Sequence, residues 1–341
     1  MYSFTEVRLA DLNIDEYYSF KDKTVFTTVP WLNYLLEDTP GAEPILVRIV
    51  KDNELKGYFT GMKVKKAGIG ILGSPFRGWS TCFMGLDAAD DVQEQDRIDI
   101  YREIVPLLMK THQCRYMCVS DRALSLDESR KHFRTASTDT LELNIKRTDE
   151  ELFKVFKTDC RNFIRQFERR GAALEIAKPD DMFAEEFYQQ LIDVFDKQGL
   201  NPTYSLEKVK RLLKNLSAAD MVLCLRVRDP EGKSIASSIY PGYKNKFFFW
   251  GGASYRSSQH YRPNEYMIWS AIKYWRERGA EHFDMVGVRD YKKKFGPEEV
   301  HYATLEFANP SFLIGAKNLA EKLYFKSLGW RHREKKEQKP Q

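Results

Sequence analysis

The sequence predicts a mixed α/β protein with two similar domains, and three observations lead to this prediction. Both halves of the chain show the same order of elements: a helix, antiparallel strands, a central helix and two further strands. Short apolar runs separated by turn sequences predict the strands, and apolar residues at helical spacing predict the helices. The chain has 341 residues, 43% of them hydrophobic, which is enough material for packed cores. Central helices that connect neighbouring strands favour a mixed, mostly antiparallel sheet flanked by helices.

The first half contains a helix, a hairpin and a second, longer helix. A short helix is predicted over residues 29–38, and two strands at 44–50 and 55–64 flank the turn sequence KDNE. The longer helix covers residues 92–111, where the apolar positions recur at helical spacing. Two further strands are predicted in the following order: residues 115–121 and residues 139–145.

The second half repeats this order with additional helices at its start. The predicted helices cover residues 148–171, 181–199, 205–216, 263–278 and 311–329. The predicted strands cover residues 221–229, 234–243, 246–254, 282–288 and 301–307. The repetition predicts one domain over residues 1–147 and a second over residues 148–341, which ends in a basic tail.

Composition excludes few partners but narrows the class of protein. There are 54 Lys and Arg against 49 Asp and Glu, a formal charge of +5 that permits contact with phosphates or an anionic membrane without requiring either. The five cysteines are odd in number, and only Cys114 and Cys118 are close in sequence, so we expect reduced thiols and no metal site. No signal peptide and no apolar stretch of about 18 residues is present, which predicts a cytoplasmic protein.

The segment from Phe247 to Trp269, FFFWGGASYRSSQHYRPNEYMIW, has features of a ligand-binding site. Gly251 and Gly252 follow an aromatic strand and can mark a bulge or a close backbone approach. The helix predicted to begin at Pro263 presents a positive dipole end, which suits phosphate. The alternative is a packing bend followed by solvated arginines. The candidate binding residues are Gly251, Gly252, Arg256, Arg262 and Asn264.

Several segments of the chain resemble the FemAB-type, or peptidoglycan-bridge, acyltransferases of the GNAT superfamily. The second half carries the resemblance in FYQQLIDVFDKQGLNPTYS, EGKSIASSIYPGY, FFFWGGAS, RPNEYMIWSAIKYWRERGAEHFDMVG and DYKKKFG. The first half carries it in EPILVRIVKDNELKGYF and GSPFRGWSTCFMG, and DCRNFIRQFERRGAALEI resembles the link between domains. The resemblance implies tandem GNAT-like domains. It also implies an N-acyltransferase, because the family includes enzymes that transfer amino acids from aminoacyl-tRNA to a peptidoglycan precursor.

The expected function is therefore transfer of an acyl or aminoacyl group to an amine of a cell-envelope or polysaccharide precursor or a related metabolite. The resemblance makes Gly251, Gly252, Arg256, Arg262 and Asn264 the candidate donor-binding residues. The donor stays undecided between aminoacyl-tRNA and acyl-coenzyme A, and no metal is expected. Besides the acceptor amine, tRNA and a peripheral membrane surface are candidate partners, whereas DNA is not. Two alternatives remain: an acyl-coenzyme A-dependent N-acetyltransferase of a small amine, and a binding protein that has lost catalysis.

Two residues are candidates for catalysis. In the peptide-bridge enzymes an F-K-x-x-F-like motif places a lysine near the transferred carbonyl, and the resemblance carries this role to Lys292 in YKKKFG. The alternative is a solvated basic turn. Asp284 in HFDMVG is a candidate base, although an Asp at a strand end more often caps or orients a neighbouring group.

Four further residues are candidates for binding the acceptor. Arg77, between Phe76 and Trp79, could bind an anionic group with aromatic stacking, and the alternative is a tight loop with a buried Trp79. Lys197 and Tyr204 in KQGLNPTYS are expected to contribute acceptor contacts from the second domain.

One departure from the GNAT pattern bears on the donor. The pyrophosphate loop of coenzyme A-using GNAT enzymes resembles Q/R-x-x-G-x-G/A, whereas RSSQHYRPNEY contains no glycine. This difference argues against ordinary acetyl-coenzyme A contacts, and it is compatible with the FemAB branch, in which the loop is altered.

Overall fold

The computed structural model describes residues 1–66, 68–76, 80–196, 199–315, 317 and 319. The chain divides into two compact units. The first comprises Met1–Asp139 and the described residues from His301 onward, and the second comprises Thr140–Val300. The predicted boundary at residues 147 and 148 stays a prediction.

The described residues form the following regular elements. The strands are β1 (Tyr2–Glu6), β2 (Glu43–Lys51), β3 (Glu54–Lys66), β4 (Ile69–Ser74), β5 (Gly85–Ala88), β6 (Cys114–Asp121), β7 (Thr135–Asn144), β8 (Ala173–Ala177), β9 (Val222–Arg228), β10 (Ser234–Tyr243), β11 (Lys246–Phe248), β12 (Gly251–Ser254), β13 (His282–Asp284) and β14 (Glu298–Ala308). The α-helices are α1 (Ile14–Tyr18), α2 (Val29–Asp38), α3 (Glu94–Thr111), α4 (Leu126–His132), α5 (Asp149–Val155), α6 (Thr158–Arg169), α7 (Asp181–Asp196), α8 (Leu206–Ser217) and α9 (Pro263–Glu277). The 3₁₀ helices are Leu9–Asp11, Val25–Thr27, Arg256–Tyr261 and Asp290–Phe295.

The first unit is built on a mostly antiparallel sheet. Its strand order is β1-β2-β3-β4-β6-β14-β7, and β5 pairs with β3. The β4–β6 pair is parallel. Helix α3 packs against this sheet, and the apolar side chains of α3 share one buried cluster with those of β2, β3 and β6. The predicted α/β fold class is therefore confirmed for this unit.

The second unit contains the sheet that carries the candidate site. Its order is β8-β9-β10-β11-β13, residues 142–144 of β7 pair with β13, and β12 pairs with β10. The β11–β13 pair is parallel. Helices α6 and α9 cover one face, where the aromatic rings of Phe247 and Phe283 stack at 4.3 Å between ring centroids. This face forms the core of the unit.

The sequence-based elements differ from the structure in several places. The helix predicted over 148–171 is divided into α5 and α6, because Phe156 is extended and its ring is buried. The strand predicted over 246–254 is divided into β11 and β12. Strands β1, β4, β5 and β8 and helices α1 and α4 were not predicted. Most of the helix predicted over residues 311–329 lies outside the described residues, although 312–315 are helical.

Candidate functional site

Two neighbouring strands of the second unit stop pairing with each other after β11, and an opening lies between them. Strand β11 pairs with β10 on one side and with β13 on the other. The Phe249 amide still donates to Asp284 O at 2.9 Å, but the Trp250 amide donates to Ile239 O at 3.1 Å. Strand β12 then continues along β10, while the Met285 amide donates to Leu141 O at 2.8 Å. Beyond β11, one backbone therefore pairs with β10 and the other with β7, on opposite sides of the opening.

A cavity of about 430 Å³ lies at this opening, and we call it the slot. It is bounded by β10, β12, the first turns of α9 and the 3₁₀ helix Asp290–Phe295. The lining residues are Val194, Ser238, Tyr240, Phe249, Gly252, Ala253, Ser254, Gln259, Asn264, Glu265, Met267, Ile268, Tyr291, Lys294 and Phe295. A mainly apolar cavity with a few convergent polar groups is typical of a small-molecule site.

An ion pair joins two walls of the slot. Glu265 lies in the first turn of α9 and is buried, and its carboxylate pairs with the Lys294 ammonium of the 3₁₀ helix. The Lys157 amide donates to Lys294 O at 2.8 Å and anchors that 3₁₀ helix. Because Glu265 is close to the positive end of α9, the helix start already holds an anion.

Two hydroxyl groups of β10 line the slot. Ser238 and Tyr240 are two residues apart and therefore lie on one face of the strand. Ser238 Oγ is 3.3 Å from Met267 Sδ, a weak hydrogen bond. Tyr240 is fully buried, and its Oη has no hydrogen-bond partner of good geometry among the described residues. Burial raises the pKa of Tyr240 above its usual range, which the nearby Ser238 hydroxyl partly opposes.

The two glycines of the opening are both positions of close approach. A Cβ atom on Gly251 would lie 3.0 Å from Tyr204 Oη and 3.2 Å from Phe187 Cζ. A Cβ atom on Gly252 would lie 2.9 Å from Phe249 Cζ. The neighbours of Gly251 are side chains. The close backbone approach that the sequence predicts at this glycine therefore serves packing at least in part. Gly252 itself lines the slot.

Tyr204 lies beside Gly251, which brings a predicted acceptor residue next to a predicted donor residue. Its ring is 4.8 Å from that of Trp250 between centroids. Burial raises the pKa of Tyr204, so the hydroxyl is neutral at physiological pH. Its role as an acceptor contact stays a prediction.

The structure separates the remaining predicted donor residues. Asn264 lines the slot in the first turn of α9. Arg256 is exposed at the start of a 3₁₀ helix, where its amide faces Asp193 Oδ2 at 3.4 Å. The Arg262 guanidinium stacks 4.1 Å from the Phe163 ring centroid and does not line the slot. The donor-binding roles of both arginines stay predictions.

Asp284 organises the turn that follows β13. Its Oδ1 accepts hydrogen bonds from Thr140 Oγ1 at 2.6 Å and from the Val286 amide at 2.8 Å. Its Oδ2 is buried and has no hydrogen-bond partner in the described part of the chain. Burial raises the pKa of Asp284, and the Lys246 charge partly opposes this shift. These contacts favour the orienting role over the role of a base.

Lys292 holds the same turn from the other side. The side chain is buried, and its Nζ donates to Met285 O at 2.6 Å and to Val286 O at 2.7 Å. Val286 has φ of 57°, which is uncommon for a β-branched residue, and Gly287 follows with φ of 76°. The basic turn is therefore not fully solvated. Lys292 does not line the slot, whereas Lys294 does.

Three predicted acceptor residues, Arg77, Trp79 and Lys197, lie outside the described residues. In the part of the chain that the structure describes, no group of three or more His, Cys, Asp and Glu side chains is arranged to hold a metal ion. Nor does any helix there have the length and apolar character needed to cross a membrane.

Sequence reasoning missed Tyr240, Glu265 and Lys294 as residues of the slot. The spacing of Ser238 and Tyr240 was a usable signal, because two hydroxyl groups share one face of an otherwise apolar strand. The run Lys292, Lys293 and Lys294 contained no comparable signal, because three adjacent lysines have the same chemistry.

The raised pKa of Asp284 predicts a pH dependence of stability. A carboxyl whose pKa is higher in the folded state contributes stability below its unfolded pKa of about 4, and this contribution is lost as pH rises through the folded-state pKa. Asp284→Asn cannot ionise. We therefore expect the free energy of unfolding of the wild type, relative to Asp284→Asn, to decrease from acid to neutral pH in urea titrations. A difference that is constant or increases with pH would contradict this.

Residues 154–293, which contain the lining residues of the slot except Lys294 and Phe295, match the family model described as an acetyltransferase (GNAT) domain. This segment therefore matches a GNAT domain, and the fold is of the GNAT type. More particularly, the structure is similar to the crystal structure of FemX, with 12% identity, 92% of this chain and 99% of that chain covered and a TM-score of 0.72. Together the two findings confirm, at the level of the fold, the resemblance to FemAB-type members of the GNAT superfamily.

Two further solved structures share the fold. A tandem GNAT protein from the clavulanic acid biosynthesis pathway is 10% identical, with 90% of this chain and 98% of that chain covered and a TM-score of 0.50. The C-terminal domain of a putative lysylphosphatidylglycerol synthetase from Agrobacterium fabrum is 12% identical, with 73% and 80% covered and a TM-score of 0.50. Among curated proteins, none matches this sequence.

Proposed function

We propose that the protein is a FemAB-type N-acyltransferase. It transfers an aminoacyl or other acyl group to an amine of a cell-envelope or polysaccharide precursor, or of a related metabolite. The observation that carries this proposal is the slot, which opens where β12 and β13 separate in front of the first turn of α9. All of its lining residues except Lys294 and Phe295 lie within the GNAT-matched segment. An acyl group that enters there meets both apolar walls and polar groups.

The surroundings of the slot do not fit the pyrophosphate of coenzyme A. Residues 256–261 form a 3₁₀ helix, in which the Ser258 amide donates to Tyr255 O and the Arg262 amide, just after it, donates to Gln259 O, both at 3.0 Å. The Asp193 and Glu265 carboxylates lie at the starts of this helix and of α9. Negative groups at helix starts repel a phosphate, and they already interact with the helix dipole that would attract it.

An ester-linked donor therefore suits the slot better than a coenzyme A thioester. In an aminoacyl ester of RNA, the ester joins the amino acid to a ribose, and the phosphates lie beyond that ribose. Binding of such a donor therefore does not require a phosphate site at the first turn of α9. The Lys294–Glu265 pair leaves the slot close to neutral. We thus assign aminoacyl-RNA as the preferred donor, with tRNA as the corresponding partner.

A donor competition tests this assignment. Purified protein is given an acceptor-stem RNA carrying an alanine ester, or acetyl-coenzyme A, together with a nucleotide-linked peptidoglycan precursor or lysine amide. Amide formation is followed by mass spectrometry. Loss of one charge-assisted hydrogen bond to a phosphate lowers binding affinity about tenfold or more. We therefore expect the RNA ester to react at least about tenfold faster than acetyl-coenzyme A. Faster reaction with acetyl-coenzyme A would reverse the donor assignment, and no amide with either donor would contradict the proposed function.

A further inference from the structure

The Tyr240 hydroxyl is a polar group of the slot that lacks a well-formed hydrogen bond to the described residues. The side chain is fully buried and lines the slot, yet Oη has no hydrogen-bond partner of good geometry among the described residues. Buried polar groups are nearly always hydrogen-bonded, and leaving one unpaired costs free energy. An unpaired hydroxyl on a side chain that lines a cavity therefore points to a ligand that supplies the partner.

The ring of Tyr240 is held in place on several sides. Its centroid lies 5.6 Å from that of Phe249 and 6.3 Å from those of Phe247 and Phe283. Its backbone pairs with Leu223 in the centre of the sheet. A hydroxyl on a ring fixed in this way loses little freedom when a ligand binds, which is the property required of a preorganised donor.

The protonation state of Tyr240 allows one role and excludes another. Burial raises its pKa above the usual range of a phenol, so the hydroxyl keeps its proton at physiological pH. It can then donate a hydrogen bond but cannot accept a proton as a base. Lys292, the residue expected near the transferred carbonyl, has its ammonium directed at two backbone carbonyls instead.

We propose that Tyr240 is a catalytic residue whose hydroxyl donates a hydrogen bond to the carbonyl oxygen of the transferred acyl group. This inference rests on the proposed acyltransferase function and adds a residue to it. The amine nitrogen forms a bond to the carbonyl carbon, and the C=O π electrons move to the oxygen, where Tyr240 Oη–H stabilises the negative charge. When the C=O bond re-forms, the bond to the ester oxygen breaks, and the amine loses one proton to the departing alcohol. The products are an amide and an alcohol.

The test compares Tyr240→Phe with the wild type in the alanyl-RNA assay. We expect kcat to fall about 10²- to 10³-fold, as for loss of one oxyanion donor, with KM little changed. The melting temperature should stay the same or rise, because the lost hydroxyl was unpaired. The matched control is Tyr274→Phe, a change on α9 outside the slot, which should leave both kcat and KM unchanged. A Tyr240→Phe enzyme within about threefold of wild-type kcat would overturn the inference while leaving the acyltransferase function intact.

A binding measurement keeps the inference testable if the wild type shows no turnover. The protein is labelled with 3-fluorotyrosine, and the Tyr240 signal is assigned by its loss in Tyr240→Phe. Acetyl-coenzyme A and an amide-linked, non-hydrolysable alanyl-RNA are then added in turn. A shift of the Tyr240 signal with either probe supports contact with the acyl group. No shift with both overturns the inference, whatever the outcome of the activity assay.

Discussion

Lys292→Met is expected to lower the free energy of unfolding by about 3 kcal/mol, a large fraction of the stability of a typical domain. The Lys292 ammonium satisfies the carbonyl oxygens of Met285 and Val286 inside the protein. Methionine fills a similar volume but donates no hydrogen bond, so both carbonyl groups lose their charged partner. A hydrogen bond to a charged group contributes about 1.5–3 kcal/mol, and here two are lost.

The adjacent Lys293 is the matched control for this prediction. Its side chain is 47% exposed, and its ion pair with Asp290 at 3.4 Å lies at the surface. Exposed ion pairs contribute little, so Lys293→Met should change the free energy of unfolding by less than about 0.5 kcal/mol. Both variants are measured by equilibrium urea denaturation. Equal, small effects would show that the Lys292 ammonium does not make these buried hydrogen bonds.

The positioning role of Lys292 has a consequence for activity. The turn that it holds follows β13 at the opening and contains Val286 in a left-handed conformation, which costs free energy and persists only where surrounding contacts enforce it. We expect Lys292→Met to reduce activity by relaxing this turn, and hydrogen exchange at the Val286 and Gly287 amides should become faster in the variant. Unchanged exchange with lost activity would instead favour direct contact between Lys292 and the substrate.

Glu265→Gln is expected to have the second largest effect, through the ion pair that joins two walls of the slot. The Glu265 and Lys294 side chains are only 11% and 17% exposed. Breaking a buried pair costs about 3–5 kcal/mol, and partial solvation of Lys294 through the slot reduces this cost, so we expect a loss of about 2 kcal/mol. A double-mutant cycle with Lys294→Met measures the coupling, which should be favourable by at least about 1 kcal/mol.

The same variant should change the donor preference. Without the Glu265 carboxylate, the first turn of α9 and the Lys294 ammonium become free to attract a phosphate. We therefore expect Glu265→Gln to bind coenzyme A several-fold more tightly than the wild type by isothermal titration calorimetry, while Lys294→Met does not. Equal or weaker binding by Glu265→Gln would show that this carboxylate is not what disfavours the pyrophosphate.

Much of the fold could be predicted from local sequence patterns. The apolar positions of α9, which are Met267, Ile268, Ala271, Ile272 and Trp275, are all buried, as helical spacing predicts. The fold class is confirmed, and the family resemblance is confirmed at the level of the fold. The break between α5 and α6 was missed because Phe156 continues the apolar pattern of a helix, although its backbone is extended. A periodic pattern does not distinguish one helix from two in succession.

The segment predicted to bind the donor coincides with part of the slot, and the roles of its residues stay predictions. The segment that begins at Phe247 does contain the separation of strands and the first turn of α9, and Gly252 and Asn264 line the slot. Local sequence could locate these features because a glycine pair and a proline at a helix start act on the backbone of their own segment.

The sequence by itself determined most of the longer elements and the family resemblance, because these depend on near neighbours. Only the tertiary structure decided which lysine of the run faces the slot. A 3₁₀ helix turns about 120° per residue, so successive lysines point in three directions. Lys292 points to backbone carbonyls, Lys293 to the surface and Lys294 to Glu265, which is distant in sequence. Burial and hydrogen-bond partners arise from contacts between distant segments, and no local pattern contains them. The lack of a partner for the Tyr240 hydroxyl among the described residues is one such feature.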